Sequence, residues 1–154
     1  MARKIRLREA NIYGGVFLLP YKGHVTYKFE PGSKDEELLP DGVKPGDRVK
    51  VLFKGLYIDN DEVCAIHVNI LTDNGQLIET QPNNDRALHV TITSGDFPKQ
   101  EAGIRLTELL SASTDMELLA KSKFYTVFTN PIERIGYFDI YRSDKRMMDK
   151  SRRF

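Results

Sequence analysis

The stretch HVTYKF, residues 24–29, alternates polar and apolar side chains, and a second stretch, LHVTIT at residues 88–93, does the same. Side chains on a β-strand point to opposite faces in turn. His24 and Thr26 therefore share one face, as do His89 and Thr91. Val25, Tyr27 and Phe29 face the other way, and so do Leu88, Val90 and Ile92. Each stretch reads as a half-buried strand with a core on one side and an imidazole beside a hydroxyl on the other. The period of two sets the fold class for the rest of the chain.

Further strands are expected around these two. NIYGGVFLL (11–19) is rich in β-formers, and its Gly14-Gly15 pair marks a bulge or a close backbone approach. RVKVLFKGLYID (48–59) and EVCAIHVNILTD (62–73) form a hairpin over Asn60-Asp61, followed by a turn at Asp73-Asn74-Gly75. Residues 31–47 hold three prolines and three glycines and read as a loop with one helical turn at Asp35–Leu39; residues 81–87 are another loop. One or two short helices are expected within 107–121. FYTVFT (124–129) and RIGYFDIY (134–141) read as two strands separated by Pro131. Many strands, few helices and no βαβ rhythm predict a single α+β domain over residues 1–154, with antiparallel sheets.

The totals fit this. The chain has 154 residues, 40% hydrophobic and 29% charged, with a net charge of +1, as expected of one soluble domain. No apolar run is long enough to span a membrane, and no apolar segment follows the basic start MARKIRLREA, so neither a membrane partner nor a signal peptide is expected. The one cysteine, Cys64, excludes an internal disulfide and a multi-cysteine zinc site and favours the cytoplasm. Residues 1–9 carry four basic residues against one acid and residues 142–154 carry six against two, so basic ends flank an acidic body. Such ends could touch a polyanion, although solvated, frayed termini account for them as well.

The chain has three histidines, each followed by valine. Two imidazoles in one cleft can act as base and acid near neutral pH. A threonine hydroxyl two residues on can donate to a phosphate oxygen. Two His-x-Thr arms facing each other would therefore suit a phosphodiester, with charge stabilised by hydrogen-bond donors and an imidazolium and with no metal or cofactor required. The third copy, His67-Val68-Asn69, lacks the hydroxyl, and its neighbours Val63, Ala65 and Asn69 form the less apolar face; it reads as an exposed or locally bonded structural histidine. Lys28 shares the face of His24 and Thr26 and is a candidate substrate contact, as is Tyr13. Tyr13, Tyr21, Tyr57, Tyr137 and Tyr141 are candidate base-stacking rings, with ordinary packing the simpler account of each.

Two His-x-Thr motifs in a small α+β protein resemble the two-histidine phosphoesterase (LigT-like) superfamily. The similarity extends over residues 12–95: the strand YGGVFLL before the first motif, the hairpin PGDRVKVLFKGLYIDNDEVCAIHVNI between the motifs, and the asparagine-containing NNDRALHVTIT at the second. The resemblance implies a bilobal fold, two antiparallel sheets lining a central cleft. It implies that His24 and His89 are catalytic and that Thr26 and Thr91 bind the phosphate. It also implies a nucleotide or RNA substrate, either a 2′,3′-cyclic phosphate end or a cyclic nucleotide signal. The short segment between GGVFLL and GHVT departs from the family pattern and leaves the substrate open. Two other readings compete: an RNA-binding module with the same cleft and no turnover, and a structural protein in which the motifs are coincidence.

Overall fold

The computed structural model describes residues 12–18, 23–29, 37–113 and 115–142. In chain order its elements are β1 (Ile12–Leu18), β2 (His24–Phe29), β3 (Arg48–Ile58), β4 (Cys64–Thr72), β5 (Leu77–Ile78), β6 (His89–Thr93), α1 (Glu101–Ala112), α2 (Met116–Lys121) and β7 (Tyr125–Arg142). The α+β antiparallel class is observed. The strands, however, form one continuous seven-stranded sheet in the order β2-β1-β7-β3-β4-β5, with β6 also paired to β4, where two separate sheets were expected. The expected basic ends (1–9 and 143–154), Tyr21, and Asp35-Glu36 of the helical turn lie outside the described residues.

The single sheet follows from β7. Its 18 residues pair with β3 through Tyr125–Val127 and again through Ile132–Tyr137, and with β1 through Gly136–Arg142. Pro131 does not divide it into two strands. It falls where the ladder with β3 is interrupted, between Val127 and Ile132, and so its missing N–H breaks no ladder bond.

The sheet stays open, with no ladder among the described residues between β2 and β6, but it curls until these two edge strands pack against each other. Val16, Val25, Val49, Val51, Val68, Ile70, Leu88, Val90 and Phe138 form a core on its inner face. Val25 of β2 and Val90 of β6 share that core, and any side chain at Gly23 would come within 3.3 Å of Val90. Gln81, itself buried, crosses the seam with its Nε2 donating to the Thr26 carbonyl at 3.1 Å. Burying one aliphatic side chain of this size stabilises by about 1.5–3 kcal/mol, so the inner-face valines hold the curl. Ile92, expected inside, is 55% exposed: it is the residue skipped where the β4–β6 register shifts between Thr91 and Thr93, which breaks the alternation there.

A second apolar cluster lies on the other face of β4, where Val63 and Ala65 pack with Ala102 and Leu106 of α1, Leu119 of α2 and Tyr125. α1 starts at Glu101, six residues before the expected span. Ala102, Leu106, Leu109 and Leu110 recur at helical spacing and face the sheet, but Gly103 weakens that pattern in the sequence. Asp115 caps α2, its carboxylate accepting from Leu118 N at 2.8 Å. Arg105 pins α1 to the β3–β4 turn by hydrogen bonds of 2.8 Å to Asp59 and 2.8 Å to Asp61, while its Nε reaches Glu101 at 2.9 Å. No helix among the described residues is long and apolar enough to cross a membrane.

Candidate active site

Both His-x-Thr motifs lie on strands and turn away from the core. Val25 and Val90 are buried, so His24 and Thr26, and likewise His89 and Thr91, stand on the opposite face. The seam brings these two strands together although 65 residues separate the histidines. His24 and His89 are close enough for the charge on His89 to lower the affinity of His24 for a proton. Thr26 is half-buried opposite Gly15, and Thr91 is exposed opposite Ala65.

His24 stands in a wall of rings. It stacks on Tyr13 (centroids 5.3 Å apart) and on Phe17 (5.8 Å); Tyr13 in turn stacks on Tyr141 (4.9 Å) and Phe17 on Tyr137 (5.9 Å). Gly15 lies between Tyr13 and Phe17 on the same face, where a larger residue would collide with the β2 backbone at Val25. This burial, then the cation of Lys99, then His89, holds the His24 pKa below the ordinary imidazole value. Tyr13 thus stands against His24. Lys28 does not share the face of His24. The β1–β2 register shifts between Gly14 and Gly15, and Lys28 pairs with Gly14 on the face of Val16. A bulge that inserts one residue flips every side chain beyond it. Lys99, in the loop before α1, is the cation that acts on His24.

His89 is held from below and behind. Its Nδ1–H donates to the Ala87 carbonyl at 2.8 Å, which leaves Nε2 for the site. The Ala87 peptide is itself fixed: its N–H donates to Thr107 Oγ1 at 2.9 Å, and that hydroxyl donates to the Gly103 carbonyl at 2.7 Å. Gly103 is the reason α1 can pack here. A Cβ at that position would lie 2.5 Å from His89 Cε1 and 3.0 Å from Nε2. Burial lowers the His89 pKa, the Ala87 hydrogen bond opposes this, and Arg86 adds to the lowering.

His67 is neither exposed nor remote. It is the cross-strand partner of His89 in the β4–β6 ladder, and it is half-buried with Nδ1 2.7 Å from the Tyr125 hydroxyl. The local bond was expected; the place beside His89 was not. Both faces of β4 are covered, one by the core and one by the helices, so composition could not tell which face carried the site. Burial, then Lys54, then His89, brings the His67 pKa down to about 4.

The charges acting on the three histidines are therefore cationic: Lys99, Arg86, Lys54 and the imidazoles themselves. The arrangement can donate hydrogen bonds, move protons through two imidazoles and attract an anion. Among the described residues no group of three or more His, Cys, Asp or Glu is arranged to hold a metal ion. Lys99, Arg86, Lys54, Thr107, Gly55 and Gly103 were missed in the sequence, where nothing local distinguishes them. No protein-family model matches the chain, and no curated protein matches it.

Proposed function

We propose that the protein is a phosphodiesterase that cleaves a nucleotide phosphodiester, a 2′,3′-cyclic phosphate end or a cyclic nucleotide, by two-histidine acid–base catalysis without a metal. The observation that carries this reading is the meeting of β2 and β6, which turns two His-x-Thr pairs to one face, with Lys99 acting on His24 and Arg86 on His89. The likeness of both motifs to the two-histidine phosphoesterases supports the same chemistry. Thr26 and Thr91 hold the phosphate. In hydrolysis, one neutral imidazole takes a proton from water as the water oxygen bonds to phosphorus. The P–O bond to the ribose oxygen breaks, and the other histidine, as imidazolium, gives its proton to that oxygen. The product is a phosphomonoester, and solvent restores the two protonation states. The free site is cationic and its imidazoles are largely neutral; a bound phosphate supplies the anion that stabilises the imidazolium.

The test is a panel of cyclic nucleotides and 2′,3′-cyclic-phosphate RNA ends, read by chromatography. His24→Ala and His89→Ala should each abolish turnover while the thermal melt is retained, and EDTA should leave the rate unchanged. Wild-type turnover by the double-histidine variant would reject the mechanism. The row Tyr141–Tyr13–His24–Phe17–Tyr137 favours a second reading, an RNA-binding surface without turnover, since rings on a sheet stack bases. That reading requires salt-sensitive RNA affinity that His89→Ala leaves unchanged.

A further inference from the structure

We infer that His67 is a third working imidazole of this site, donating its Nε2–H to a non-bridging oxygen of the phosphoryl group held by His24 and His89. The inference rests on the phosphodiesterase reading above for the identity of that oxygen. Its geometry stands independently, as a row across four strands. His89 on β6 is directly opposite His67 on β4, and His67 is directly opposite Gly55 on β3. Tyr125 on β7 pairs with Tyr57, two residues along from Gly55, and reaches His67 diagonally across the gap at Gly55. Directly opposed residues of an antiparallel pair have Cβ atoms about 4.5–5.5 Å apart and project to the same face, so the His67 ring flanks the His89 ring.

The Tyr125–His67 contact is built into the sheet, and we take His67 as the Nε2–H tautomer. Tyr125 reaches His67 only because residue 55 has no side chain: a Cβ there would lie 2.4 Å from both the phenol oxygen and Cζ of Tyr125. Tyr125 is buried, 4% exposed, and burial pushes its pKa up to about 12, so it keeps its proton. Its hydroxyl is hydrogen-bonded to His67 Nδ1 at 2.7 Å, and we assign the phenol as donor in that pair. A neutral imidazole that accepts at Nδ1 carries its hydrogen on Nε2. No buried side-chain nitrogen or oxygen among the described residues lacks a partner, and none of these residues hydrogen-bonds His67 Nε2, so that atom is left open to solvent. A purely structural histidine–tyrosine pair would have no reason to keep that donor open. Because His67 stays neutral down to about pH 4, it is a fixed donor that does not shuttle protons. Tyr125 is a positioning residue that acts through it.

The experiment is imidazole ¹⁵N NMR on histidine-labelled protein, with inorganic phosphate as the probe, alongside kinetics with a nucleoside 2′,3′-cyclic phosphate. The Nε2–H tautomer is expected for His67, with its Nε2 resonance moving as phosphate is added. Tyr125→Phe should give a mixed tautomer. His67→Phe, which keeps a ring in place, should lower kcat by about 100-fold with a smaller change in KM, as for loss of one donor to the transition-state oxyanion. An Nδ1–H tautomer, or no phosphate response at His67, overturns the inference. So does a His67→Phe enzyme with wild-type kcat when His24→Ala and His89→Ala are inactive. If the wild type turns over none of the cyclic phosphates, the two-histidine reading fails, and the phosphate titration still decides His67 by itself.

Discussion

Replacing Gly103 by alanine adds one methyl group to the third residue of α1, and that methyl would stand 2.5 Å from Cε1, 3.0 Å from Nε2 and 3.3 Å from Nδ1 of His89. Carbon atoms in contact settle at about 3.5–4.0 Å, so the ring and helix must separate by about 1 Å. The helix itself gains, since alanine is favoured over glycine by about 1 kcal/mol in a helix interior. Overpacking costs about 1–3 kcal/mol in the other direction. The two nearly offset, and the net change in stability stays within about 2 kcal/mol, which moves Tm by no more than about 8 °C in a chain of this length. Catalysis has no such offset. A reacting group displaced by about 1 Å loses on the order of 100-fold in rate. Gly103→Ala is therefore expected to fold with a near-native melt and to lose about two decades of kcat in cyclic-phosphate hydrolysis, with the His89 imidazole resonances shifted. The measurement is a thermal melt, steady-state kinetics and a histidine NMR spectrum on one preparation. Wild-type kcat with unmoved His89 resonances would refute the claim that this glycine exists to make room for the imidazole. A loss of activity that only tracked unfolding would refute it as well.

Other outcomes follow from the same geometry. All three histidines titrate below 6.5 in the folded chain, so the unfolded chain binds more protons below that pH, and stability must fall as pH drops from 6.5 toward 4. For His67 alone the span from 6.5 to about 4 corresponds to about 3 kcal/mol, and denaturant melts of His67→Phe against pH should lose that part of the slope. Thr107→Val leaves the buried Ala87 N–H without its acceptor, a cost of about 1–3 kcal/mol, and should loosen His89 enough to lower kcat more than it raises KM. Arg105→Met strands the buried Asp59 carboxylate, which burial alone would push up in pKa but which Arg105 and the Tyr57 hydroxyl hold below 3.8. The wild type should melt higher than this variant near neutral pH, and its advantage should shrink as pH falls below 3.8.

The alternation in HVTYKF and LHVTIT carried real information: it put His24 with Thr26 and His89 with Thr91, and the strands stand where the period placed them. It failed at Lys28, because the bulge opposite Gly14-Gly15 resets the phase, and a period cannot report its own interruption. It failed at His67 for a different reason. A strand covered on both sides has no hydrophilic face, so Val63 and Ala65 hid the face that His67 shares with His89. Gly55 and Gly103 were illegible because both sit in ordinary element interiors. What distinguishes them is a ring belonging to a residue 70 positions away at Tyr125, or 14 away at His89. The cations Lys99, Arg86 and Lys54 come from three separate segments, and only the curl of the sheet gathers them.

The seam between β2 and β6 also has a meaning in time. β1–β2 is a local hairpin, and β3, β4 and β6 can pair as soon as residue 93 is available. These two pieces share no ladder. They are joined by β7, which contributes residues 125–142 and docks between β1 and β3. A growing chain that has already emerged with both His-x-Thr motifs therefore holds them on unconnected sheets, and the pairings that unite them are non-local and slow to form. Competence to act on a nucleotide would arrive in a single late step, with the strand that completes the sheet. During refolding, recovered turnover should lag behind recovered β-structure by the docking time of that one strand.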